Sequence, residues 1–437
     1  MAIYALSSGP GTSGVAVIRV SGKETSDVIR LLTGKEPPEP RKACLRKVNK
    51  INTSEPIDEG IIIWFPGPQS YTGEDMAEIQ VHGSKAVIDA LHSSISKIKN
   101  CRLAEPGEFT KLAFQNGKIN LLKAESIADL ISSETEIQRQ QAIKIMNGKS
   151  AHQFNFLREK LLKVLSHVEA KIDFPDEDLP NNILDEIKSS SDEVIFKIKK
   201  ILNDQKVGER IREGFKIAIV GPTNAGKSSL MNYLSNRDVA IVSEIAGTTR
   251  DVIETHLNID GYPVIISDTA GIRETSGFVE KEGVKRAKKT VLGADLVLCV
   301  FDEESDVVIK EKDTPHLYIL NKSDLRKKTD VKNHIIHISA KNGENVDILL
   351  KKIKETLLIN SVSTNTPHLT TARQKEALNK CLESLSLSLK CFDNSYPDLE
   401  IVSLELRASL YSLETLLGKT SADDILNNVF GKMCVGK

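Results

Sequence analysis

The 437-residue sequence has few aromatic residues and almost no net charge. Aromatic residues make up 5% of it, and Trp64 is the one tryptophan, so extended platforms for stacking nucleic-acid bases are not expected. The formal net charge is −1. This excludes a strongly basic nucleic-acid coat, although it leaves room for a local basic patch.

Paired cysteines and long apolar runs are also missing. The six cysteines lie far apart and none forms a CxxC pair, which excludes zinc-ribbon and redox motifs. No apolar run approaches the length of a membrane span, and LVLCVF (296–301) is a buried strand at most. The first residues, MAIYALSSGPGTSG, lack the basic start and apolar stretch of a signal peptide. We therefore expect a cytoplasmic protein in a reducing compartment, without membrane contact.

The length and the first part of the pattern predict several domains. A chain of 437 residues is too long for one core, and two to four domains are expected. Residues 1–118 mix short β-like runs with helical segments, separated by turns that contain glycine and proline. The β-like runs are VAVIRV (15–20), IIIWF (61–65) and AEIQV (77–81). This pattern predicts a compact N-terminal α+β domain.

The residue pattern across 119–212 predicts the first part of a helical domain. Between 119 and 174 there is no proline and one glycine, Gly148. Apolar residues recur there at the spacing of one helix face. They are Leu157, Leu161, Val164, Leu165 and Val168. A second glycine-free stretch, 182–207, has a similar stripe, so we expect long helices packed as a bundle.

Strand-like runs alternate with helical segments across residues 213–362. The runs are FKIAIV (215–220), YPVIISD (262–268), DLVLCVF (295–301), HLYIL (316–320) and HIIHI (334–338). Such alternation predicts a sheet that is mostly parallel and covered by helices on both faces.

Helical patterns return after Pro367. They cover 371–392, 398–417 and 421–430. Ser421 with Asp424 resembles a capping box at the start of the last one. Because helical segments flank the α/β region, we expect that region to be a domain inserted into a helical domain, whose second part is 363–437.

A phosphate-binding loop follows the first strand of the α/β region. The segment GPTNAGKS, Gly221–Ser228, fits GxxxxGK[ST] and comes directly after the strand that ends at Val220. The glycines let backbone N–H groups turn toward phosphates, Lys227 can reach the β and γ oxygens, and Ser228 can bind Mg²⁺. The pattern alone has false positives, but a strand before it and a helix after it make it specific.

Four further motifs follow in the order that a GTPase requires. AGTTRD contains Thr248 and Thr249, which would supply a hydroxyl to Mg²⁺, and DTAG, Asp268–Gly271, follows a strand and offers a carboxylate and a γ-phosphate contact. NKSD (321–324) and SAK (339–341) each follow a predicted strand. Each motif alone is more often an ordinary loop. Together and in order they indicate a GTP site.

The base specificity is predicted by Asp324. Its carboxylate can accept hydrogen bonds from guanine N1–H and from the exocyclic amine, whereas adenine offers neither donor at those positions. A buried Asp324 would be left unpaired by ATP, so ATP is rejected. The backbone of Ser339, Ala340 and Lys341 can contact the guanine O6.

The residue after DTAG suggests an unusual route to hydrolysis. Ras-like GTPases have a water-orienting glutamine there, but this sequence has Ile272. Without this glutamine, the protein needs another way to hold the attacking water and to offset the negative charge of the transition state. Asn224 and backbone carbonyls of the loop SEIAGTT (243–249) could coordinate a monovalent cation beside the phosphates. The alternative is that Asn224 is an ordinary solvated loop residue.

The whole chain resembles the bacterial and organellar tRNA-modification GTPase family MnmE, also called TrmE. Seven stretches carry this resemblance, and the terminal one is the most specific. They are IRVSG (18–22), SYTGEDMAEIQVHG (70–83), AEPGEFTKLAFQNGKINL (104–121), AESIADLI (124–131), VEAKIDFPDE (168–177), EIAGTTRD (244–251) and the terminal CVGK (434–437). The N-terminal loop departs from the family, since it reads GPGTSG where a PPGRGG-like segment is common.

The resemblance implies a GTPase domain of Ras-like fold that is activated by K⁺ and pairs across a dimer. The implied K⁺ ligands are Asn224, the backbones of Ser243 and Ile245, and Thr248. Mg²⁺ would be held by Ser228 and Thr249. A glutamate that orients the attacking water through a second water matches Glu280, which without the resemblance would be a solvated charge at a helix start.

The resemblance also implies that the N-terminal domain has a folate-binding fold, dimerises and binds a 5-formyl-tetrahydrofolate-type one-carbon donor. The matching positions are Arg19, Glu78, Lys118 and Lys437. A carboxylate can pair with the pterin edge, and cations can meet the carboxylates of the donor. On composition alone each of these residues would be a surface charge.

The end of the sequence, MCVGK (433–437), then acquires a role. An exposed tail with an incidental free thiol is the simple interpretation. The resemblance implies instead that CVGK folds back to the folate site, which would place Cys434 near the transferred carbon. There a thiolate could act as nucleophile or base, and this role for Cys434 is a hypothesis.

The expected site residues form three sets. The expected catalytic residues are Glu280, Lys227 and Cys434. The nucleotide and cation loops comprise Asn224, Ala225, Gly226, Lys227, Ser228, Ser229, Ser243, Glu244, Ile245, Ala246, Gly247, Thr248, Thr249, Asp268, Thr269, Ala270, Gly271, Asn321, Lys322, Ser323, Asp324, Ser339, Ala340 and Lys341. The folate set comprises Arg19, Glu78, Lys118 and Lys437.

The implied activity is modification of C5 of the wobble uridine in certain tRNAs. The implied partners are a second copy of the chain, the tRNA and an MnmG-like (GidA-like) FAD flavoprotein, in a heterotetramer. GTP hydrolysis would drive opening and closing of the paired GTPase domains rather than transfer carbon. One alternative is a GTPase that acts as a binding switch in signalling or ribosome assembly, and the basic segment VKRAKK (284–289) suits either function. A folate enzyme acting alone is a second alternative.

Overall fold

The computed structural model describes most of the chain in two compact units. The described residues are 1–51, 53, 55–174, 183–203, 205–237, 254–268, 290–303, 314–326, 335–358, 371–393, 398–419, 426, 429–431 and 433–436. One unit comprises Met1–Ala128 with Glu414–Lys437, and the other comprises Asp129–Leu413. Within the described ranges, no helix is both long and apolar enough to cross a membrane.

The first unit contains a six-stranded sheet. Its strands are β1 (Ala2–Leu6), β2 (Ser13–Gly22), β3 (Cys44–Asn49), β4 (Pro56–Phe65), β5 (Met76–Gly83) and β6 (Cys101–Leu103). Its helices are α1 (Thr25–Thr33), α2 (Lys85–Ile95), α3 (Glu108–Gln115) and α4, which starts in this unit and spans Leu121–Ile131. The strand order is β3-β4-β5-β2-β1-β6, in which β6 is parallel to β1 and all other neighbours are antiparallel. The α+β prediction is confirmed, although only β2, β4 and β5 were predicted as strands.

Alternation along the strands places a core on each face of this sheet. In β2, Ile18 and Val20 belong to the larger core, together with Val28 of α1 and Leu91 of α2. A smaller core on the opposite face includes Phe109 of α3 and residues of β1. Because side chains alternate between faces, Arg19 of β2 points to the face of this smaller core.

The second unit contains the remaining helices and strands. The helices are α5 (Glu136–Met146), α6 (Lys149–Asp173), α7 (Ile183–Asn203), α8 (Gln205–Glu213), α9 (Lys227–Ser235), α10 (Val346–Leu358), α11 (Ala372–Phe392) and α12, which spans Leu399–Leu417. The strands are β7 (Phe215–Val220), β8 (Glu254–Ile259), β9 (Tyr262–Asp268), β10 (Leu296–Phe301), β11 (His316–Leu320) and β12 (Ile335–His337).

Helices from before and after the α/β region pack together. The predicted stripe of α6, Leu157 to Val168, is buried throughout. Helix α7 packs against both α6 and α11. The Cys381 sulfur of α11 lies 3.1 Å from the Ser409 hydroxyl oxygen of α12. The predicted insertion of an α/β domain into a helical domain is therefore confirmed. The predicted helix at 421–430, with its capping box, lies mostly outside the described residues.

The α/β region forms a second six-stranded sheet of order β12-β11-β10-β7-β9-β8. All neighbours are parallel except β8, which is antiparallel to β9 at one edge. The prediction of a mostly parallel sheet is confirmed, but β8 was not predicted, and β12 ends at His337, one residue before the predicted end at 338.

Both faces of this sheet are buried. Leu298 and Val300 of β10 pack with α9 and α10 in one core, whereas Val297 and Cys299 of the same strand pack in a second core on the other face. A strand that is buried on both faces reads as a continuous apolar run, which explains why LVLCVF was recognisable. Its carboxyl end, with those of β7 and β11, carries the loops described next.

Candidate functional site

The phosphate loop connects the buried strand β7 to helix α9, and glycine is required at both of its ends. Gly221 has φ +148°, and a Cβ built there would lie 1.9 Å from the carbonyl oxygen of Val300. Gly226 has φ +88°, and its Cβ would lie 2.1 Å from the Asn321 side-chain nitrogen. These approaches leave no space for side chains, so the backbone itself forms the cradle that phosphate groups need.

Lys227 begins α9 and is 6% exposed. Its ammonium group donates to the carbonyl oxygens of Gly221 (2.9 Å) and Pro222 (2.7 Å). The positive charge is therefore held at the loop, next to the N-terminal N–H groups of α9, and this combination fits an anionic phosphate chain. Asn224, Ser228 and Ser229 are exposed on the same loop and helix start, and Asn224 has φ +67°.

Asn321 connects the three loops at this end of the sheet. It is 2% exposed. Its side-chain nitrogen donates to the Ala225 carbonyl at 2.9 Å, and its side-chain oxygen accepts from the Ala340 N–H at 3.0 Å. One buried amide thus fixes the phosphate loop and the SAK loop relative to the NKSD loop.

Asp324 and Lys322 lie beside this amide. The Ser339 hydroxyl donates to Asp324 Oδ1 at 2.7 Å, which orients the carboxylate that was predicted to read guanine. Asp324 is exposed, so the expectation of a buried carboxylate is wrong for the protein by itself, because the carboxylate stands at the loop surface. The Lys322 ammonium lies 2.8 Å from Asp302 Oδ2, and this hydrogen bond lowers the pKa of Asp302.

Several predicted site residues lie outside the described part of the chain. They are Ser243, Glu244, Ile245, Ala246, Gly247, Thr248, Thr249, Thr269, Ala270, Gly271, Glu280 and Lys437. Asp268 is the last residue of strand β9, but its side chain lies outside the part of the chain that the structure describes. The predicted ligands of Mg²⁺ and K⁺ are therefore only partly placed, by Ser228 and Asn224.

The second candidate site is built by strand register in the N-terminal sheet. Arg19 of β2 stands directly opposite Glu78 of β5, and Arg19 Nη2 lies 3.0 Å from Glu78 Oε1. Both side chains are about one-fifth exposed, at 19% and 22%. Two predicted folate residues, 59 positions apart in sequence, are thus brought together as a cross-strand ion pair.

Aromatic rings enclose the Arg19 guanidinium. The centre of the Tyr71 ring lies 5.9 Å from it and that of the Phe109 ring 5.8 Å, a range in which cation–π attraction operates. The Tyr71 hydroxyl pairs with Thr110 at 2.9 Å, and burial raises the pKa of Tyr71. Arg19 Nε is buried and has no hydrogen-bond partner among the described residues, a free donor that suits an acceptor group of a ligand.

The C-terminal tail, defined as residues 433–436, reaches this cluster. Arg19 Nη1 donates to the Gly436 carbonyl at 3.3 Å. Cys434 is exposed, and its carbonyl accepts from the Gly107 N–H at 3.3 Å. The predicted folate residue Lys118 is exposed and follows α3.

Sequence reasoning missed several neighbours of these residues. Tyr71 and Phe109 belong to stretches with a recognisable resemblance, but nothing in their residue types indicated that they flank an arginine. Ser7 and Asp302 were missed as well. A signal for Phe109 existed in hindsight, because a buried aromatic on α3 must pack against the face of the sheet that bears Arg19.

A nucleotide site of this kind, at the carboxyl ends of parallel strands, defines the protein as a P-loop GTPase with additional domains. Family models cover those additional domains: residues 2–118 match the model described as GTP-binding protein TrmE N-terminus, and residues 121–434 match the MnmE helical domain. The chain belongs to the MnmE family of tRNA modification GTPases.

Curated relatives agree over the full length. The tRNA modification GTPase MnmE of Pelagibacter ubique (strain HTCC1062) is 63% identical, with 100% of both chains covered. MnmE of Rickettsia bellii (strain OSU 85-389) is 41% identical and covers 100% of this chain and 99% of its own. Among solved structures, the G domain of the T. maritima FeoB iron transporter aligns with 34% of this chain and 99% of its own, at 22% identity and a TM-score of 0.24, which is too distant to support an argument.

Proposed function

We propose that the protein is a K⁺-activated GTPase that modifies C5 of the wobble uridine in certain tRNAs. It acts as a homodimer with an MnmG-like FAD flavoprotein, in a cytoplasmic heterotetramer. The added group is of the aminomethyl or carboxymethylaminomethyl type, and its one-carbon unit derives from 5-formyl-tetrahydrofolate. FAD belongs to the partner.

The observation that carries this proposal is the presence of two separate built sites in one chain. The first is the phosphate loop with its NKSD and SAK loops, tied together by Asn321. The second is the Arg19–Glu78 pair of the N-terminal sheet, with the tail beside it. A GTPase that acts only as a binding switch has no use for the second site, and a folate enzyme acting alone has no use for the first.

In the nucleotide site, Lys227 binds phosphate oxygens and Asp324 pairs with the guanine edge. Ser228 and Thr249 would hold Mg²⁺, which neutralises phosphate charge when bound. Asn224, the backbones of Ser243 and Ile245, and Thr248 would hold K⁺, which takes the place of an arginine finger. Glu280 would orient the attacking water.

In the folate site, Glu78 pairs with the amino and N–H edge of the pterin. Arg19, Lys118 and Lys437 meet the carboxylates or carbonyl groups of the donor. Arg19 is already oriented by Glu78 and by two rings, so little side-chain entropy is lost on binding. Cys434 is an exposed thiol two residues before Gly436, whose carbonyl accepts from Arg19.

Reconstitution tests the function directly. The full chain, the flavoprotein with its FAD reduced, GTP, Mg²⁺, K⁺, 5-formyl-tetrahydrofolate, an amine donor (glycine or ammonium in parallel reactions) and unmodified tRNA are incubated. The reduced flavin supplies the two electrons that bring the formyl carbon to the methylene level, and the amine donor supplies the nitrogen. The nucleosides are then analysed by mass spectrometry. We expect a mass increase confined to the wobble uridine, lost in Lys227→Ala and lost without GTP. If the complete mixture leaves the wobble uridine unmodified, the proposal fails.

A cysteine variant tests the hypothesis for the thiol. In Cys434→Ser, GTP hydrolysis should persist while wobble uridine modification is lost, because the serine hydroxyl is a much weaker nucleophile and base than a thiolate. Cys44→Ser, on the edge strand β3, is the matched control and should retain both activities. Normal modification by Cys434→Ser would remove the thiol from the mechanism and leave the rest of the proposal intact.

A further inference from the structure

Ser7 lies on the same face of the N-terminal sheet as Arg19. It follows β1, and its N–H donates to the Val17 carbonyl at 2.8 Å, which extends the pairing of β1 with β2. In that pairing Ala5 stands opposite Arg19. Because side chains alternate along a strand, Ser7, two residues after Ala5, faces the same side.

The tail passes beside Ser7 and is held at several points. The Ser7 hydroxyl donates to the Gly436 carbonyl at 2.9 Å, and Arg19 Nη1 donates to the same oxygen at 3.3 Å. Upstream, Pro106 and Val435 form an antiparallel bridge. A carbonyl oxygen has two lone pairs, and here each has its own donor.

The approach of the tail to β1 is so close that only glycine fits. Gly436 has φ +93°, and a Cβ built there would lie 2.2 Å from the Leu6 carbonyl oxygen and 3.0 Å from the Cα of Ser7. A chance surface contact does not require such a fit. The tail therefore lies on a surface shaped for it, and the Ser7 hydroxyl is within reach of its last described carbonyl.

Arg19 contacts the tail but also belongs to the proposed ligand site. Its guanidinium already pairs with Glu78, and in the proposed function its remaining N–H groups meet the folate. A ligand acceptor that draws the guanidinium toward itself would weaken the bond from Arg19 Nη1 to the Gly436 carbonyl, which is already long at 3.3 Å. Ser7 has no such second task, since Gly436 is the acceptor of its hydroxyl.

We propose that Ser7 is a positioning residue that holds the C-terminal tail beside the Arg19–Glu78 pair. It does so whether or not the folate ligand is bound to Arg19. The hydrogen bond from Ser7 keeps Cys434 and the residues after it at the site when Arg19 turns to the ligand. The part of this inference that concerns ligand affinity rests on the proposed folate site, whereas the holding of the tail does not.

Hydrogen–deuterium exchange of the full chain, without ligand, tests the holding of the tail. Two peptides report on it: 104–112, which contains the Gly107 N–H bonded to Cys434, and 429–437. Ser7→Ala should speed exchange several-fold in both peptides and leave the remaining sheet peptides unchanged. Ser7→Thr keeps a hydroxyl and should restore slow exchange, and Ser93→Ala, an exposed serine of α2, is the matched control.

A double-mutant cycle tests whether Ser7 acts through the tail. The loss of one hydrogen bond predicts that Ser7→Ala weakens binding of 5-formyl-tetrahydrofolate by about threefold to tenfold, measured by calorimetry. In a chain that lacks residues 434–437, the same substitution should change the affinity by less than about twofold, since the acceptor is gone.

The outcomes separate this inference from the proposed function. If Ser7→Ala leaves exchange in both peptides as slow as in the wild type, Ser7 does not hold the tail. An undiminished effect of Ser7→Ala on affinity in the shortened chain would likewise overturn the inference. If the wild type fails to bind the folate while tail exchange still depends on Ser7, the proposed substrate is wrong and the role of Ser7 in holding the tail stands.

Discussion

Asn321 shows what single residues contribute to the nucleotide site. Its motif neighbour Asp324 is exposed at the loop surface, but the Asn321 amide is buried and bonded to the backbones of Ala225 and Ala340. Buried polar groups stabilise a site when they are fully paired and destabilise it when one partner is removed. The sequence identified Asn321 as part of a guanine motif, and the structure adds that it joins three loops.

Asn321→Ala should therefore weaken both stability and nucleotide binding. It leaves a buried carbonyl and a buried N–H without partners, which costs about 1–3 kcal/mol for each unpaired group. We expect affinity for GDP to fall at least about tenfold, measured by titration with a fluorescent GDP analogue, and a lower unfolding temperature. Asn232→Ala, an exposed position on α9, is the control, and equal affinities for the two variants would contradict the bridging role.

His92 is a residue-scale source of pH dependence in the N-terminal domain. Its ring packs edge-on against Tyr4 at 5.5 Å, and its Nε2 is buried with no partner among the described residues. Burial lowers the pKa of His92 below its usual 6.5, because the charged ring would lose its hydration. The unfolded chain therefore binds the proton more readily than the folded chain.

The sign of the effect follows from this difference. Above about pH 6.5 the ring is neutral in both states and has no effect. As the pH falls below 6.5, toward the lower pKa of the folded state, the unfolded chain gains the proton first and stability is lost. Urea unfolding followed by the fluorescence of Trp64 in β4 measures it, and His92→Leu should lose less stability on acidification than the wild type. A steeper acid loss in His92→Leu would refute this.

At the scale of elements, the hairpin of β8 and β9 was only half predicted. YPVIISD reads as a buried strand, but ETHLNI was missed because its alternate residues are polar. The structure buries Thr255, Leu257 and Ile259 and leaves the residues between them more exposed, as an edge strand requires. The turn was the available signal, since Asp260 and Gly261, at φ +50° and +89°, form the Asp-Gly pair that favours tight hairpins.

Gly261→Val should destabilise the GTPase domain through this turn. A β-branched residue at positive φ costs about 1–2 kcal/mol, although the space beside Gly261 is open, since its nearest neighbour, Ile137, would lie 3.6 Å from a Cβ. We expect a lower unfolding temperature by calorimetry. Asp260→Asn, which also tolerates positive φ, should stay close to the wild type, and an unchanged transition in Gly261→Val would show that backbone strain is not limiting.

Cys381 illustrates how helix packing controls reactivity. It lies between α11 and α12 beside Ser409, and burial raises the pKa of its thiol to about 12. Because the thiolate is the reactive form, iodoacetamide at pH 8 should alkylate the exposed Cys434 and leave Cys381 unmodified in the native protein. Peptide mass spectrometry measures both sites. Comparable labelling of the two would mean that α11 and α12 separate readily.

At the scale of the whole molecule, two features of the chain order matter. The helices that precede and follow the GTPase domain in sequence pack with one another, so the helical domain is built from two segments that are distant in sequence. The N-terminal sheet is completed by the last residues of the chain, through the Pro106–Val435 bridge and the contact of Arg19 with Gly436. The helical domain and the N-terminal sheet thus both combine segments that are distant in sequence.

Cation dependence is the prediction that concerns the whole assembly. If K⁺ bound at Asn224 activates paired GTPase domains, GTP hydrolysis should be several-fold faster in potassium than in sodium at equal ionic strength, because a positive charge beside the phosphates stabilises the transition state. Asn224→Gly is the suitable variant, since glycine accepts the φ of +67° found there and removes the side chain that would bind the cation. It should abolish the preference. Equal rates in both salts for the wild type would end the cation mechanism and leave the fold unaffected.

The sequence by itself determined the class of fold, the position of the nucleotide site and the family. Apolar strands buried on both faces, helices with a regular stripe and loops with fixed motifs are local patterns, and each leaves a readable trace. The phosphate loop between β7 and α9 is such a case, because its glycines are required by the local backbone.

The tertiary structure decided which distant residues meet. Arg19 and Glu78 pair because of the register between β2 and β5, and Tyr71, Phe109 and Ser7 gather around them because they share one face of the sheet. It also left Asp324 at the surface, where burial had been expected. The register between strands, and the face of the sheet on which each side chain lies, are set by packing across the whole domain. No local pattern in the sequence contains them.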